Sequence, residues 1–206
     1  NEFDGAAAAY SLRLLNYFYQ GPLVRVRRDS DHVEVDVYPD ENGVFSERSL
    51  VRNAVESSTG VTVGSPNDTT AFRFGEFAYG ANCFVVEWKD QSSNNNHATQ
   101  DASASQPKIY DSATGVVTEN GKPAIQASNS QFFEMTTRIT TVQSVFYTLT
   151  WDGGWSSTYS EFILGDNTTS DYSGGGYTSS WFQATYASND VKNGSNFKNG
   201  SSSFNT

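Results

Sequence analysis

The sequence predicts an all-β domain, a sandwich or a barrel, with one short helix near its N-terminus. Many short segments alternate apolar and polar residues, and Gly-, Asn-, Asp- and Ser-rich turns separate them. The regular succession of strands and helices that builds a parallel sheet is missing from the pattern. A chain of 206 residues can bury a sizeable core as one domain. We expect that domain over residues 1–192, followed by a polar hairpin, tail or linker over residues 193–206.

The predicted helix begins after Asp4 and ends before Gly21. Asp4 is a favoured capping residue, and the alanines at residues 6–9 are strong helix formers. Leu12 and Leu15 lie three residues apart, which places them on one apolar stripe. Gly21 is followed by a proline, a combination that stops a helix.

Period-two alternation predicts two early strands, at residues 23–27 and 32–38. Arg25 and Arg27 share one face of the first strand, and acidic residues such as Glu34 and Asp36 occupy the second. We therefore expect salt bridges across this hairpin. Further strands are predicted at residues 84–88, 108–110, 123–126, 132–135, 144–149, 161–164 and 181–186.

Two polar loops interrupt these strands, at residues 60–70 and 89–106. In the second loop, Asp90 and Gln91 are expected to bind backbone N–H groups and hold a structural turn. A calcium site over residues 90–96 is the alternative, because Asp and Asn oxygens suit that cation. The spacing matches no calcium-loop pattern, so the sequence predicts no cofactor.

The charge balance limits the classes of partner. Thirteen basic and twenty-three acidic residues give a formal net charge of −10 and a pI near 4.5. Such a surface repels nucleic-acid phosphates and anionic lipids but does not exclude neutral sugars. The sequence contains no run of about 18 apolar residues, so no membrane insertion is predicted. Cys83, the single cysteine, lies in an apolar run and is expected to be a small buried hydrophobe.

Several stretches in order resemble the concanavalin A-like (laminin-G-like) jelly-roll domains of bacterial surface proteins and phage structural proteins. The same opening resembles the catalytic domain of family 54 α-L-arabinofuranosidases. The stretches are AYSLRLL at 9–15, VRVRRDSD at 24–31, WKDQSSNNNHATQ at 88–100, QPKI at 106–109 and NGKPAI at 120–125.

The resemblance implies two antiparallel sheets packed face to face, and it implies a domain that is incomplete at its C-terminal end. In the enzymes a catalytic Glu follows a Phe-x-x-Gly stretch, and the comparable stretch here begins at Phe162. Thr168 stands where that Glu would be, and a hydroxyl cannot form the glycosyl-carboxylate intermediate of a retaining enzyme. This departure from the enzymes' pattern predicts no catalysis, and a glycosidase using Asp166 and Asp171 is the alternative.

The segment between residues 151 and 181 combines aromatic rings with amide and carboxylate groups, the two features that sugar binding requires. Glycines at 153–154 and 174–176 would allow close approach of a ligand. Trp151 and Trp181 are interpreted as core residues at strand ends. The predicted ligand-binding residues are Trp155, Asp166, Asn167, Asp171, Tyr172 and Tyr177.

These observations predict a non-enzymatic module on a virion surface, a cell surface or in the extracellular space. Its expected role is glycan recognition and adhesion, or a structural part of a particle such as a phage fibre or decoration protein. The expected partners are a surface glycan or other surface proteins. Self-association or inclusion in a larger polypeptide is also expected, since the chain begins at Asn1.

Overall fold

Antiparallel strands form nearly all of the regular structure in the computed structural model, so the all-β prediction is confirmed. The structure describes residues 5–56, 62–63, 72–128, 131–139, 144–150, 162–165, 180–183 and 192–193. The chain divides into two compact units, residues 1–139 and 140–206.

The first unit contains one ten-stranded sheet and a small hairpin. The strands of the large sheet are β1 Val24–Arg28, β2 Val33–Val37, β3 Leu50–Glu56, β4 Thr62–Val63, β5 Phe72–Arg73, β6 Cys83–Trp88, β7 Ala98–Thr99, β8 Lys108–Asp111, β9 Gly115–Val116 and β12 Glu134–Met135. The hairpin pairs β10 Thr118–Glu119 with β11 Lys122–Pro123. Helix α1 covers Phe74–Ala78, and a 3₁₀ turn covers Ser103–Ser105.

The large sheet runs in the order β12-β7-β6-β1-β2-β3-β4. Two strands of this sheet each pair with two short strands along one edge. β6 pairs with both β7 and β8, and β3 pairs with both β4 and β5. In the second unit, β13 Phe162–Gly165, β14 Ser180–Gln183 and β15 Lys192–Asn193 form a separate three-stranded sheet.

The core of the first unit lies against one face of the large sheet. The valines of β1 and β2 alternate with charged residues and point into it. Leu12, Phe45, Phe74 and Ala78 cover them from segments outside the sheet. The Phe45 and Phe74 rings lie 4.8 Å apart between centroids, and both side chains are almost completely buried. Cys83 belongs to this core, as predicted.

The predicted N-terminal helix is wrong over residues 5–20, which contain no helix. The segment runs extended, with isolated bridges from Tyr10 to Asp90 and from Arg13 to Val44. In a helix each backbone N–H would donate to the carbonyl four residues earlier, but here the backbone groups bind distant partners. The Leu14 N–H, for example, donates to the Gly43 carbonyl at 2.7 Å. Alanine-rich composition favours a helix only weakly, and these tertiary hydrogen bonds outweigh it.

Asp90 and Gln91 anchor that segment, so the prediction that they bind backbone groups is confirmed. The Asp90 carboxylate is buried and accepts from the backbone N–H groups of Ala9 (2.7 Å), Ser92 (2.8 Å) and Asn96 (2.9 Å) and from the Ser92 hydroxyl (2.7 Å). The Gln91 side chain accepts from one backbone N–H of the segment and donates to two of its carbonyls. Side chains of this loop therefore bind backbone groups of the N-terminal segment that would bind one another in a helix.

The remaining strand predictions have mixed outcomes. Strands predicted at 23–27, 32–38, 84–88, 108–110 and 161–164 are confirmed within one residue at each end, and those at 123–126, 132–135 and 181–186 are confirmed in part. The strand predicted at 144–149 is wrong, since residues 144–150 have no regular structure. Phe146, Tyr147 and Leu149 are exposed there, and alternation alone does not supply the neighbouring strand that β-structure needs.

Candidate functional site

The large sheet presents charged side chains on the face opposite its core. In β1 and β2 the valines point inward, so Arg25, Glu34 and Asp36 point to the other face. The register then aligns one residue from each of six neighbouring strands across that face. In sheet order from β3 to β12 these residues are Arg52, Asp36, Arg25, Glu87, Thr99 and Glu134.

Arg25 lies at the centre of this row and binds two carboxylates. Its Nε donates to Glu34 Oε2 at 2.9 Å, and its Nη1 donates to Asp36 Oδ1 at 3.0 Å. The three side chains are only 13–19% exposed. Burial lowers the pKa of Arg25, but attraction to Asp36 and the bonds to both carboxylates outweigh it, so the pKa is raised. The predicted salt bridges across the hairpin are therefore confirmed for Arg25.

Arg27 differs from Arg25 although both belong to β1. Its side chain is buried, its Nε donates to Gln106 Oε1 at 2.7 Å, and its guanidinium lies over the Phe84 ring. Arg27 therefore ties β1 to the segment before β8 and contributes to the structure beneath the face. The predicted pairing of both arginines with the acidic strand holds for one of them.

Glu87, on β6, follows Arg25 in the row. Lys89 Nζ lies 2.6 Å from Glu87 Oε2, and His97 Nε2 lies 3.7 Å from Glu87 Oε1. The backbone N–H of Asp90 donates to His97 Nδ1 at 3.0 Å, so in this arrangement Nδ1 is unprotonated and Nε2 carries the hydrogen. The imidazole is thus fixed in one orientation beside the carboxylate.

Two tyrosines border the row. The Tyr38 ring lies beneath the Arg52 guanidinium, 5.0 Å from its centroid. Tyr19 donates from its hydroxyl to the Pro22 carbonyl at 2.7 Å. Burial, with the nearby charges of Asp90, Glu87 and Asp36 and the neighbouring Tyr38, raises the pKa of Tyr19 to about 12. Tyr19 therefore stays a neutral hydrogen-bonding group at physiological pH.

Gly21 makes room for the Tyr19 ring. A Cβ atom at Gly21 would lie 2.5 Å from the Tyr19 hydroxyl oxygen, closer than real contacts allow. An alanine there would push the ring aside without changing the charge of the face. We call the surface formed by Tyr19, Arg25, Glu34, Asp36, Tyr38, Arg52, Glu87 and Lys89 the charged face.

The charged face carries both signs of charge. Arg25, Arg52 and Lys89 supply three positive charges and Glu34, Asp36 and Glu87 three negative ones, and Glu134 at the β12 end of the row adds a further negative charge. Planar carboxylate and guanidinium groups present several hydrogen-bond donors and acceptors in fixed geometry. Within the described part of the chain, no three His, Cys, Asp or Glu side chains group in a way that could hold a metal ion.

The structure does not describe the residues that the sequence predicts to bind a ligand. Trp155, Asp166, Asn167, Asp171, Tyr172 and Tyr177 lie outside the described residues, as do Trp151 and the Trp181 side chain. Sequence reasoning missed Tyr19, because it was assigned to a helix, and it missed Glu87 and Lys89. The usable signal was the alternation at residues 32–38, which places Asp36 and Tyr38 on one face.

Helices long and apolar enough to cross a bilayer do not occur in the ranges that the structure describes. Comparisons of this chain with protein-family models, with curated proteins and with solved structures find no match.

Proposed function

We propose that this chain is a non-enzymatic recognition module that binds a neutral glycan on the charged face. The observation that carries the proposal is the group of partly buried ion pairs at the centre of the row, Arg25 with Glu34 and Asp36 and Lys89 with Glu87, near Tyr19 and Tyr38. The module would be a concanavalin A-like jelly roll displayed on a virion, on a cell surface or in the extracellular space. The resemblance described above and the all-β architecture support that assignment.

The chemistry of the charged face suits sugar hydroxyls. A carboxylate accepts and a guanidinium donates hydrogen bonds in a plane, and a tyrosine ring offers an apolar surface to a pyranose ring. A charged ligand would have to displace an existing partner, because each cation lies next to an anion or an aromatic ring. A neutral glycan forms hydrogen bonds without breaking these pairs.

The first test is a glycan array probed with the full chain, followed by calorimetry on any bound glycan. Tyr38→Ala should lower the affinity about fivefold, as expected for loss of an aromatic contact. Tyr79→Ala is the matched control, since Tyr79 is 85% exposed and lies in the turn after α1. Absence of binding to any glycan would contradict the proposal.

Gly21→Ala provides a second test of the same site. It should weaken glycan binding by moving the Tyr19 ring, while the circular dichroism spectrum stays unchanged. Affinity equal to that of the unmodified chain would remove Tyr19 from the site.

The segment predicted from sequence remains a separate proposal for the ligand site. If it binds the glycan, Trp155→Ala and Tyr177→Ala should each lower affinity severalfold while Tyr38→Ala leaves it unchanged. Hydrolysis of an aryl arabinofuranoside by the chain, lost in Asp166→Asn or Asp171→Asn, would favour the glycosidase alternative and contradict a purely recognition role.

A further inference from the structure

Two Asn-Gly pairs lie in turns of the described part of the chain, at residues 42–43 and 120–121. Both asparagines are exposed. In an Asn-Gly pair the glycine nitrogen can approach the carboxamide of the preceding asparagine, because glycine has no Cβ atom to hinder the approach. The two pairs have the same local chemistry, so their surroundings in the structure decide which of them reacts.

Backbone hydrogen bonds hold the first pair in place. The Gly43 N–H donates to the Asp40 carbonyl at 2.9 Å, and the Gly43 carbonyl accepts from the Leu14 N–H at 2.7 Å. A Cβ atom at Gly43 would lie 3.5 Å from Leu14 Cδ1, so the glycine also packs against the extended N-terminal segment. Attack by the Gly43 nitrogen requires rotation about the Cα–C bond of Asn42, and that rotation moves the N–H away from Asp40.

The second pair forms the loop of the β10–β11 hairpin, between Glu119 and Lys122. Asn120 has a φ of +49° and Gly121 a φ of +71°, and both central residues of a type I′ turn have positive φ. Within the described ranges, neither the Asn120 carboxamide nor the Gly121 N–H has a hydrogen-bond partner. A Cβ atom at Gly121 would meet no other atom within 4 Å. Contacts of the kind that hold Gly43 therefore do not restrain Gly121.

We propose that Asn120 is a site of spontaneous deamidation and isoaspartate formation, and that the structure protects Asn42 from the same reaction. The Gly121 nitrogen loses its proton to a base in the solvent and attacks Cγ of Asn120. The new N–Cγ bond closes a cyclic imide as the Cγ–Nδ2 bond breaks and ammonia leaves. Water then opens the ring at either carbonyl, which gives aspartate or isoaspartate. One water is consumed and one ammonia is released, with no change of oxidation state.

Isoaspartate at position 120 would change the hairpin in two ways. It lengthens the backbone of the loop by one methylene group, and it adds a negative charge next to Glu119. Strands β10 and β11 contribute two residues each, so their pairing depends on the two-residue loop that joins them. The reaction concerns residues outside the charged face, and the inference is therefore independent of the glycan proposal.

The test is incubation of the full chain in mildly alkaline buffer, followed by proteolysis and mass spectrometry. Cleavage after Lys and Arg places the two sites on peptides 29–48 and 109–138, because Lys122 precedes a proline and is not cut. Fragmentation of the second peptide distinguishes Asn120 from Asn129 and isoaspartate from aspartate. Deamidation should be at least about tenfold faster at Asn120 than at Asn42, because two hydrogen bonds of Gly43 have to open before Asn42 reacts.

The same incubation in urea, where neither turn persists, should make the two rates similar. Asn120→Gly removes the reactive carboxamide and leaves a Gly-Gly pair, which also suits a type I′ turn, so no product should form at position 120. Asn42→Gly is the matched control and should leave the rate at Asn120 unchanged.

Equal rates at the two sites in the folded chain would overturn the inference, because they would show that the hydrogen bonds of Gly43 give no protection. An unreacted Asn120 in the folded chain, under conditions in which the chain in urea reacts, would also overturn it. That result would show that the hairpin itself prevents the attack.

Discussion

Phe74 shows at the scale of one residue how position decides what an aromatic side chain contributes. Its ring is fully buried and lies 4.8 Å from the Phe45 ring and 5.7 Å from the Tyr110 ring, whereas Phe72, two residues earlier, is 58% exposed. Both belong to a short stretch in which nothing in the sequence distinguishes them. Burial in the tertiary structure makes one a core residue and leaves the other on the surface.

Phe74→Ala should lower the free energy of unfolding by about 3–5 kcal/mol, because it removes buried surface and leaves a cavity. Phe72→Ala is the matched control and should cost less than about 1 kcal/mol. Urea unfolding followed by circular dichroism measures both. Similar losses in the two variants would contradict the assignment of Phe74 to the core.

The carboxyl group of Asp40 makes the stability of the fold depend on pH. Burial raises the pKa of Asp40, but bonds from the Ser46 hydroxyl and from the Val44 and Asn42 N–H groups outweigh it, and the pKa is lowered. A carboxyl group whose pKa is lower in the folded state than in the unfolded state stabilises the fold at pH values above its unfolded-state pKa of about 4. That contribution is lost as the pH falls through the lowered pKa.

Asp40→Asn should therefore lower stability near pH 7 by about 1 kcal/mol. It should also make stability fall less steeply below about pH 5 than in the unmodified chain. Urea midpoints measured from pH 7 to pH 3 give both quantities. The exposed Asp101→Asn is the control and should reproduce the slope of the unmodified chain; a steeper slope for Asp40→Asn would refute the argument.

At the scale of an element, the extended N-terminal segment depends on the loop after β6. Asp90 alone accepts four hydrogen bonds, one of them from Ala9, and Gln91 accepts from Leu15. Propensity is a property of neighbouring residues, but these partners lie 76 and 81 positions away. The helix prediction failed because local preference carries no information about such partners.

Asp90→Ala should destabilise the chain by roughly 3 kcal/mol, since it leaves buried donors without an acceptor. Gln91→Ala should cost less but should release the segment, so amide hydrogens such as that of Leu15 should exchange faster while the β1 and β6 amides stay protected. Hydrogen exchange measured by NMR tests this. Unchanged exchange at Leu15 in Gln91→Ala would show that other contacts hold the segment.

Helix α1 is the opposite case to the predicted N-terminal helix, because it forms although the sequence did not predict it. It is five residues long, contains Gly75, and begins after Arg73, whose N–H donates to the Glu76 carboxylate at 3.2 Å. A turn of that length is not stable by itself. Packing of Phe74 and Ala78 into the core holds it in place.

At the scale of the whole molecule, the core described above belongs to one unit. Among the residues whose burial the structure describes, every member of the core cluster and every partly buried side chain packed against it falls between Leu12 and Phe133. The ten-stranded sheet likewise ends at β12. The core described for the first unit is therefore built from residues of that unit.

A fragment of residues 1–139 should therefore unfold cooperatively in urea, with a midpoint close to that of the corresponding transition in the full chain. A non-cooperative transition with exposed apolar surface, detected by dye binding, would show that residues 140–206 are required for the core.

Local sequence patterns were enough to predict the all-β class, the strands at β1, β2, β6, β8 and β13, the burial of Cys83 and the pairing of Arg25 with the acidic strand. These follow from alternation and adjacent turns, which are local properties. Tertiary contacts were needed to establish which face of the sheet carries the core, the extended path of residues 5–20, and the row joining Arg52 to Glu134. Those features depend on register and on contacts between distant residues, and local sequence patterns do not encode such contacts.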